Sequence, residues 1–198
     1  VTIAGKHVET LTARAGMANN VLMDATDNGQ GAARDLGQAG GAAGPQPEPP
    51  FVLIEPLRRT SPLIFASPHS GRRYPAELLA DARVSLISLR RSEDAYVDEL
   101  FAGAAAHGAA VLSATIARAY VDLNRDPGEL DPEMFNEHPP HSVHLTSARV
   151  QAGLGAIPRV SGDGQNIYRR KLSLRDAERR ITQVHRPYHA MLHNLVLE

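Results

Sequence analysis

Leu63-Ile64-Phe65-Ala66 runs directly into Ser67-Pro68-His69-Ser70-Gly71. A short apolar run with Pro62 on one side and a polar turn on the other reads as a strand, and its unbroken apolar character predicts cover on both faces. The turn places His69 just beyond the carboxyl end of that strand, where open α/β sheets bind their ligands. A histidine there is either a metal ligand or general base, or a side chain that merely hydrogen-bonds the turn. Gly71 is expected to make the turn possible.

Outward from this strand, Phe51-Val52-Leu53-Ile54, Ala110-Val111-Leu112-Ser113 and Ala119-Tyr120-Val121-Asp122-Leu123 predict three more strands. Ser92 is a candidate N-cap, with the acidic pair Glu93-Asp94 behind it. Val97, Leu100, Phe101 and Ala104 recur at helical spacing, so a helix is expected to about His107, stopped by Gly108. Ser173 predicts the start of a long helix, striped by Ala177, Ile181, Val184, Tyr188, Leu192 and Leu195 and kinked or split at Pro187. Residues 126–166, rich in Pro, Gly and His, predict long loops. Strands alternating with helices point to an α/β sandwich.

Residues 1–50 carry no Phe, Tyr or Trp and hold eight of the sixteen glycines. So little apolar surface cannot offset ordering entropy, so a disordered tail is expected there, with the folded domain over 51–198. The 198-residue chain is 42% hydrophobic, with 21 basic and 22 acidic residues and a net charge of −1. That balance argues against nucleic acid or an anionic membrane as partner. No apolar run reaches the ~18 residues of a membrane span. The absence of cysteine fits a cytoplasmic setting.

Four further groups carry possible chemistry. In Arg90-Arg91-Ser92-Glu93-Asp94 the acids either complement a helix dipole or join His69 on a divalent cation. In Asp122-Leu123-Asn124-Arg125, Arg125 offers a planar fork for a carboxylate and Asn124 a donor and an acceptor, with Arg118 upstream. The alternative is a solvated strand end with an Asp–Arg pair. His185, His189 and His193 stand at i, i+4 and i+8, either as ligands or as polar flanks of an amphipathic helix. His138, His141 and His144 form a loop cluster that lacks preorganisation. Neither Gly153-Leu154-Gly155 nor Gly162-Asp163-Gly164 follows a strand and opens a helix, so a phosphate loop is not expected. Ser67 and Ser70 have no evident base partner, which argues against a serine hydrolase.

In order, these pieces resemble the N-formylglutamate amidohydrolases, a branch of the zinc-carboxypeptidase-like hydrolases. The resemblance rests on Ser67-Pro68-His69-Ser70-Gly71 with Tyr74-Pro75, Ser92-Glu93-Asp94 with Val97-Asp98, Gly108-Ala109, Arg118 through Arg125, and Pro187-Tyr188-His189. It spans about residues 51–195. It implies a three-layer α/β/α sandwich on a mixed sheet, incomplete at its C-terminal end. It implies one zinc ion held by His69 and by an acid of Glu93-Asp94, with Asp94 favoured because the family keeps an acid at that place. Asn124 and Arg125 would hold a substrate carboxylate, with Arg118 assisting. The implied reaction, a step of histidine degradation, cleaves N-formyl-L-glutamate, a small acidic N-acyl amino acid, to formate and glutamate. The family's third ligand, in an Asp-x-His-Ser segment, and its general base are expected beyond Glu198, so the chain is expected to be a truncated form. His189 is the weaker candidate for the third ligand within it. The alternative is an inactive binding module that keeps only the carboxylate clamp.

Overall fold

The computed structural model describes residues 48–139 and 147–197. Most of the expected tail, together with His141 and His144, lies outside the described residues. The sheet has three strands, β1 (Phe51–Ile54), β2 (Ile64–Ser67) and β3 (Ala110–Ala114), in the order β1-β3-β2. β1 pairs with β3 antiparallel, Leu53 opposite Leu112, and β2 pairs with β3 parallel, Phe65 opposite Val111. The sheet is therefore mixed.

Its cover differs from the expectation. Every residue of β3 is buried, whereas Ala66 of β2 is exposed and Ile64 and Phe65 are half-buried. The strand enclosed on both sides is the one flanked by two neighbours. β2 lies at an edge, and its apolar run serves one face and one neighbour. The two faces of the sheet meet different helices. Phe65 packs against Phe101 of α3 (Val97–Ala102) with ring centroids 5.1 Å apart. Phe51 meets Tyr188 of α6 (Arg186–Leu197) edge-on at 6.4 Å. Two short helices not foreseen, α1 (Ala76–Asp81) and α2 (Leu86–Arg90), lie between β2 and α3. Leu78 and Leu89, one from each, are fully buried in the same core as Leu112, Ile157, Ile167 and Tyr188.

The helix expected from Ser92 begins instead at Val97. Tyr96 before it is left-handed at φ 65°, and the Asp94 amide donates to the His69 carbonyl at 3.0 Å. That long-range bond draws residues 92–96 to the turn after β2, and Ser92 Oγ accepts from the Gly162 amide at 2.9 Å rather than capping a helix. From Gly103 to His107 the helix tightens to 3₁₀ and ends at Gly108 with φ 79°.

Ala119–Leu123 is not a strand. Arg118, Ala119 and Tyr120 form a turn, the residues after it run without regular structure, and Ala119 through Leu123 are all buried. An apolar run marks burial, and here a loop is what is buried. Its backbone groups are therefore met individually. The Asp122 amide donates to the Ala156 carbonyl at 2.8 Å.

The described residues between 126 and 166 are mostly loop, as expected, with one 3₁₀ turn (Pro132–Met134) and α4 (Ala148–Gln151) among them. Ser173 caps α5 (Leu174–Arg180), its Oγ accepting from the Asp176 amide at 3.1 Å. Residues Ile181–His185 widen into a π turn, which leads into α6. Pro187 has no N–H for the Gln183 carbonyl and its ring crowds that turn. Widening relieves both, so the interruption comes just before the proline. Arg180, 1% exposed, lies against the rings of Tyr120 at 4.3 Å and Tyr168 at 5.5 Å. It donates to the Tyr168 hydroxyl at 2.7 Å and to the Tyr120 carbonyl at 3.2 Å.

Candidate active site

The site lies beyond the carboxyl ends of the two parallel strands, β2 and β3. His69 follows β2 by two residues. The chain after β3 returns to it through Arg118 and Asp122. Gly71 permits this meeting through space rather than through turn geometry, because a Cβ there would collide with the Ile116 carbonyl. The Arg73 amide then donates to the Thr115 carbonyl at 2.9 Å and locks the two segments together.

Asp122 organises the centre. It is 1% exposed. His69 Nε2 lies 2.8 Å from its Oδ1, which also accepts from the Asn124 amide at 2.9 Å. Arg118 Nε donates to Oδ2 at 2.9 Å. Burial alone would push the Asp122 carboxyl up, but the His69 hydrogen bond, the Arg118 charge and the Asn124 amide outweigh it and hold the group below its ordinary value. An ionised carboxylate only accepts, so the imidazole hydrogen belongs on Nε2. In the tautomer with its hydrogen on Nε2, His69 turns the lone pair of Nδ1 towards Asp94, whose Oδ2 is 3.3 Å away. Two acceptors facing each other need a proton or a cation between them.

Glu93 faces elsewhere. Its side chain is 3% exposed, accepts from the Tyr74 hydroxyl at 2.5 Å and lies 3.3 Å from Arg90 Nε. Of the two acids, Asp94 is the one beside His69. The donors available to a metal at this point are His69 Nδ1 and the Asp94 carboxylate. Among the described residues, no group of three His, Cys, Asp or Glu side chains converges on one point.

A cleft of about 470 Å³ opens beside them, lined by Arg91, Asp94, Arg118, Asp122, Leu154 and Gly162 among others. Asn124 is exposed, and its backbone, not its side chain, is tied to Asp122. Arg125 turns back. Its Nε donates to the Leu154 carbonyl at 3.1 Å and its Nη1 to the Asn124 carbonyl at 2.7 Å.

The helical histidines support the loop from below. His185 Nε2 bonds the Arg125 carbonyl at 2.9 Å, and His189 Nε2 bonds the Leu123 carbonyl at 2.7 Å. Their rings stack at 4.3 Å. Burial, aided by the charge of His189, holds His185 below its ordinary pKa despite the Arg125 carbonyl. His189 is thus bound to a backbone carbonyl, while His193 and His138 are exposed. Ser70 Oγ donates to the Ser67 carbonyl at 3.2 Å, a bond within the turn.

The residue missed in the sequence is Asp122. An acid inside an otherwise apolar run was a signal of a buried, partnered charge, but the run read as a strand.

Fold and site together define a mixed α/β protein with a carboxylate-tethered histidine beside an arginine-flanked cleft. The comparisons narrow this class. The family model for N-formylglutamate amidohydrolase matches residues 61–198. The chain belongs to that family. It is also similar to the crystal structure of N-formylglutamate amidohydrolase from Ralstonia eutropha JMP134, at 37% identity and a TM-score of 0.68, over 74% of this chain and 51% of that one. The chain thus spans about half the length of that relative. No curated protein matches it.

Proposed function

We propose that the chain carries the metal-binding and substrate-binding half-site of an amide hydrolase acting on N-formyl-L-glutamate, releasing formate and glutamate. The observation that carries this reading is the pairing of His69 Nδ1 with Asp94 at 3.3 Å, while Nε2 is tied to Asp122. Zinc bonds of ~2.0–2.1 Å to nitrogen and oxygen in a tetrahedral shell separate adjacent donors by about 3.3 Å. The acceptor pair therefore suits two positions of such a shell, and Asp122 supplies the carboxylate that sets the imidazole tautomer. When bound, zinc would acidify a water and polarise the formyl carbonyl.

The chain's own residues do the rest of the positioning. Asp122 holds His69 in one orientation. Arg118, bound to Asp122 through Nε, presents its remaining nitrogens in the cleft to the carboxylate next to the scissile amide. Asn124 is exposed beside it, and Arg125 fixes the loop and adds positive charge 3.8 Å from Asp122. In the reaction a water oxygen bonds to the formyl carbon, the C–N bond breaks, and the amine nitrogen takes a proton.

Helices against both faces of the mixed sheet support a three-layer α/β/α arrangement. The lack of cysteine supports a cytoplasmic setting. Among the described residues no helix is long and apolar enough to cross a membrane. The test is metal analysis together with a deformylation assay on N-formylglutamate, for the wild type, His69→Ala and Asp94→Ala. Loss of bound zinc in both variants is expected. Retention of zinc and activity in either would remove that residue from the site, and ligand binding without zinc or turnover would favour a binding module.

A further inference from the structure

The cleft is lined by two arginines, and they are held differently. Arg118 is tied through Asp122 to His69, so its charge is fixed at the reacting end. Arg91 is the second. Its backbone is fixed: its amide donates to the Ser88 carbonyl at 3.2 Å, and Gly162 packs so tightly on its carbonyl that a Cβ there would collide with it. Its side chain is 64% exposed, and its Nε lies 3.8 Å from Asp163, beyond hydrogen-bond length. Asp163 is already occupied. It accepts from Ser88 at 2.8 Å, from Ser161 at 2.6 Å and from Gln165 at 3.0 Å. The hydrogen bonds from Ser161 and Ser88 hold its carboxyl down at about 2, so it stays charged and steers Arg91 without closing its fork. Arg125, by contrast, spends Nε and Nη1 on backbone carbonyls.

A dicarboxylic N-acyl amino acid presents two anions at unequal distances from its amide. The α-carboxylate is adjacent to the scissile bond and belongs with the cation tied to His69. The side-chain carboxylate reaches further and needs a cation on a rigid backbone with an open guanidinium. We propose that Arg91, steered by Asp163, binds the side-chain carboxylate and so sets the preference for an acidic over a neutral side chain. This rests on the substrate reading above and adds a specificity residue to it.

The test is calorimetric binding of N-formylglutamate and N-formylglutamine to the zinc-loaded full chain, as wild type, Arg91→Gln, Arg91→Lys and Arg118→Gln. A charged hydrogen bond in a partly exposed cleft corresponds to about tenfold in affinity. The wild type should favour N-formylglutamate by about that factor. Arg91→Gln should erase the preference and leave N-formylglutamine binding unchanged. Arg91→Lys should restore part of it, and Arg118→Gln should weaken both ligands. Equal weakening of both ligands by Arg91→Gln, or an unchanged preference, overturns the assignment of Arg91 and leaves the substrate reading standing. A wild type that binds neither ligand overturns both.

Discussion

Replacing Asp122 by Asn tests the centre of the site with almost no change of shape. Oδ1 of Asp122 receives two donors, His69 Nε2 and the Asn124 amide, and Oδ2 receives Arg118 Nε. An asparagine has one oxygen for these two positions. With its oxygen towards His69, its NH₂ faces the Arg118 N–H. Turned over, its NH₂ faces the Asn124 amide and His69, which forces the imidazole hydrogen onto Nδ1 and removes the lone pair beside Asp94. Either orientation loses at least one charged hydrogen bond in a site that water hardly enters. That costs about 1.5–3 kcal/mol of stability. The second orientation also weakens a metal bound through Nδ1, and loss of such a supporting carboxylate lowers metal affinity by about ten- to a hundredfold. Thermal unfolding without metal measures the first effect. Competition for zinc against a chelator measures the second. Both should fall. A variant that is destabilised yet binds zinc as tightly as the wild type would refute the claim that Asp122 acts through the His69 tautomer.

Gly71→Ala drives a methyl into the Ile116 carbonyl, so it should destabilise the fold by about 2 kcal/mol or more, read as a fall in the denaturant midpoint. Arg180→Met strips the Tyr168 hydroxyl and Tyr120 carbonyl of a buried donor and should cost about 2–3 kcal/mol, whereas a neutral outcome would show that water replaces the guanidinium. His185 is held neutral by burial, so its folded pKa lies below its unfolded one. The unfolded chain therefore binds the extra proton first. The associated stability is fully present above about pH 6.5 and is lost as pH falls towards the folded pKa. Melting temperatures followed downwards from about pH 7.5 should drop for the wild type and less for His185→Gln, and parallel curves would contradict this.

The turn after β2 could be read because its signals are local: an apolar run, a proline and a glycine whose order places His69 at a strand end. The start of α3 could not. Ser92-Glu93-Asp94 has the composition of a helix N-terminus, and what displaces it is a bond from Asp94 to the His69 carbonyl, 25 residues away in sequence. Ala119–Leu123 failed as a strand for a related reason. Burial was legible there, but its loop conformation depends on partners at Ala156, Arg180 and His189. The arginines show the same limit. The sequence puts Arg125 first as a carboxylate partner, with Arg118 assisting, while the fold turns Nε and Nη1 of Arg125 to carbonyls and gives Arg118 and Arg91 to the cleft.

The π turn at Ile181–His185 has a consequence for how this chain tolerates change over evolution. His185 belongs to it and His189 follows it, and both imidazoles reach carbonyls of the loop that carries Asp122. Deleting one residue from the regular turns beside it would rotate everything downstream by about 100°, and only the π turn itself, which already holds an extra residue, could absorb the change. Otherwise His189 would leave Leu123, and Tyr188 would leave the sheet. Surface loops accept insertions and deletions readily. This helix should accept almost none, so its length, more than the identity of any one residue in it, is what descent is expected to preserve.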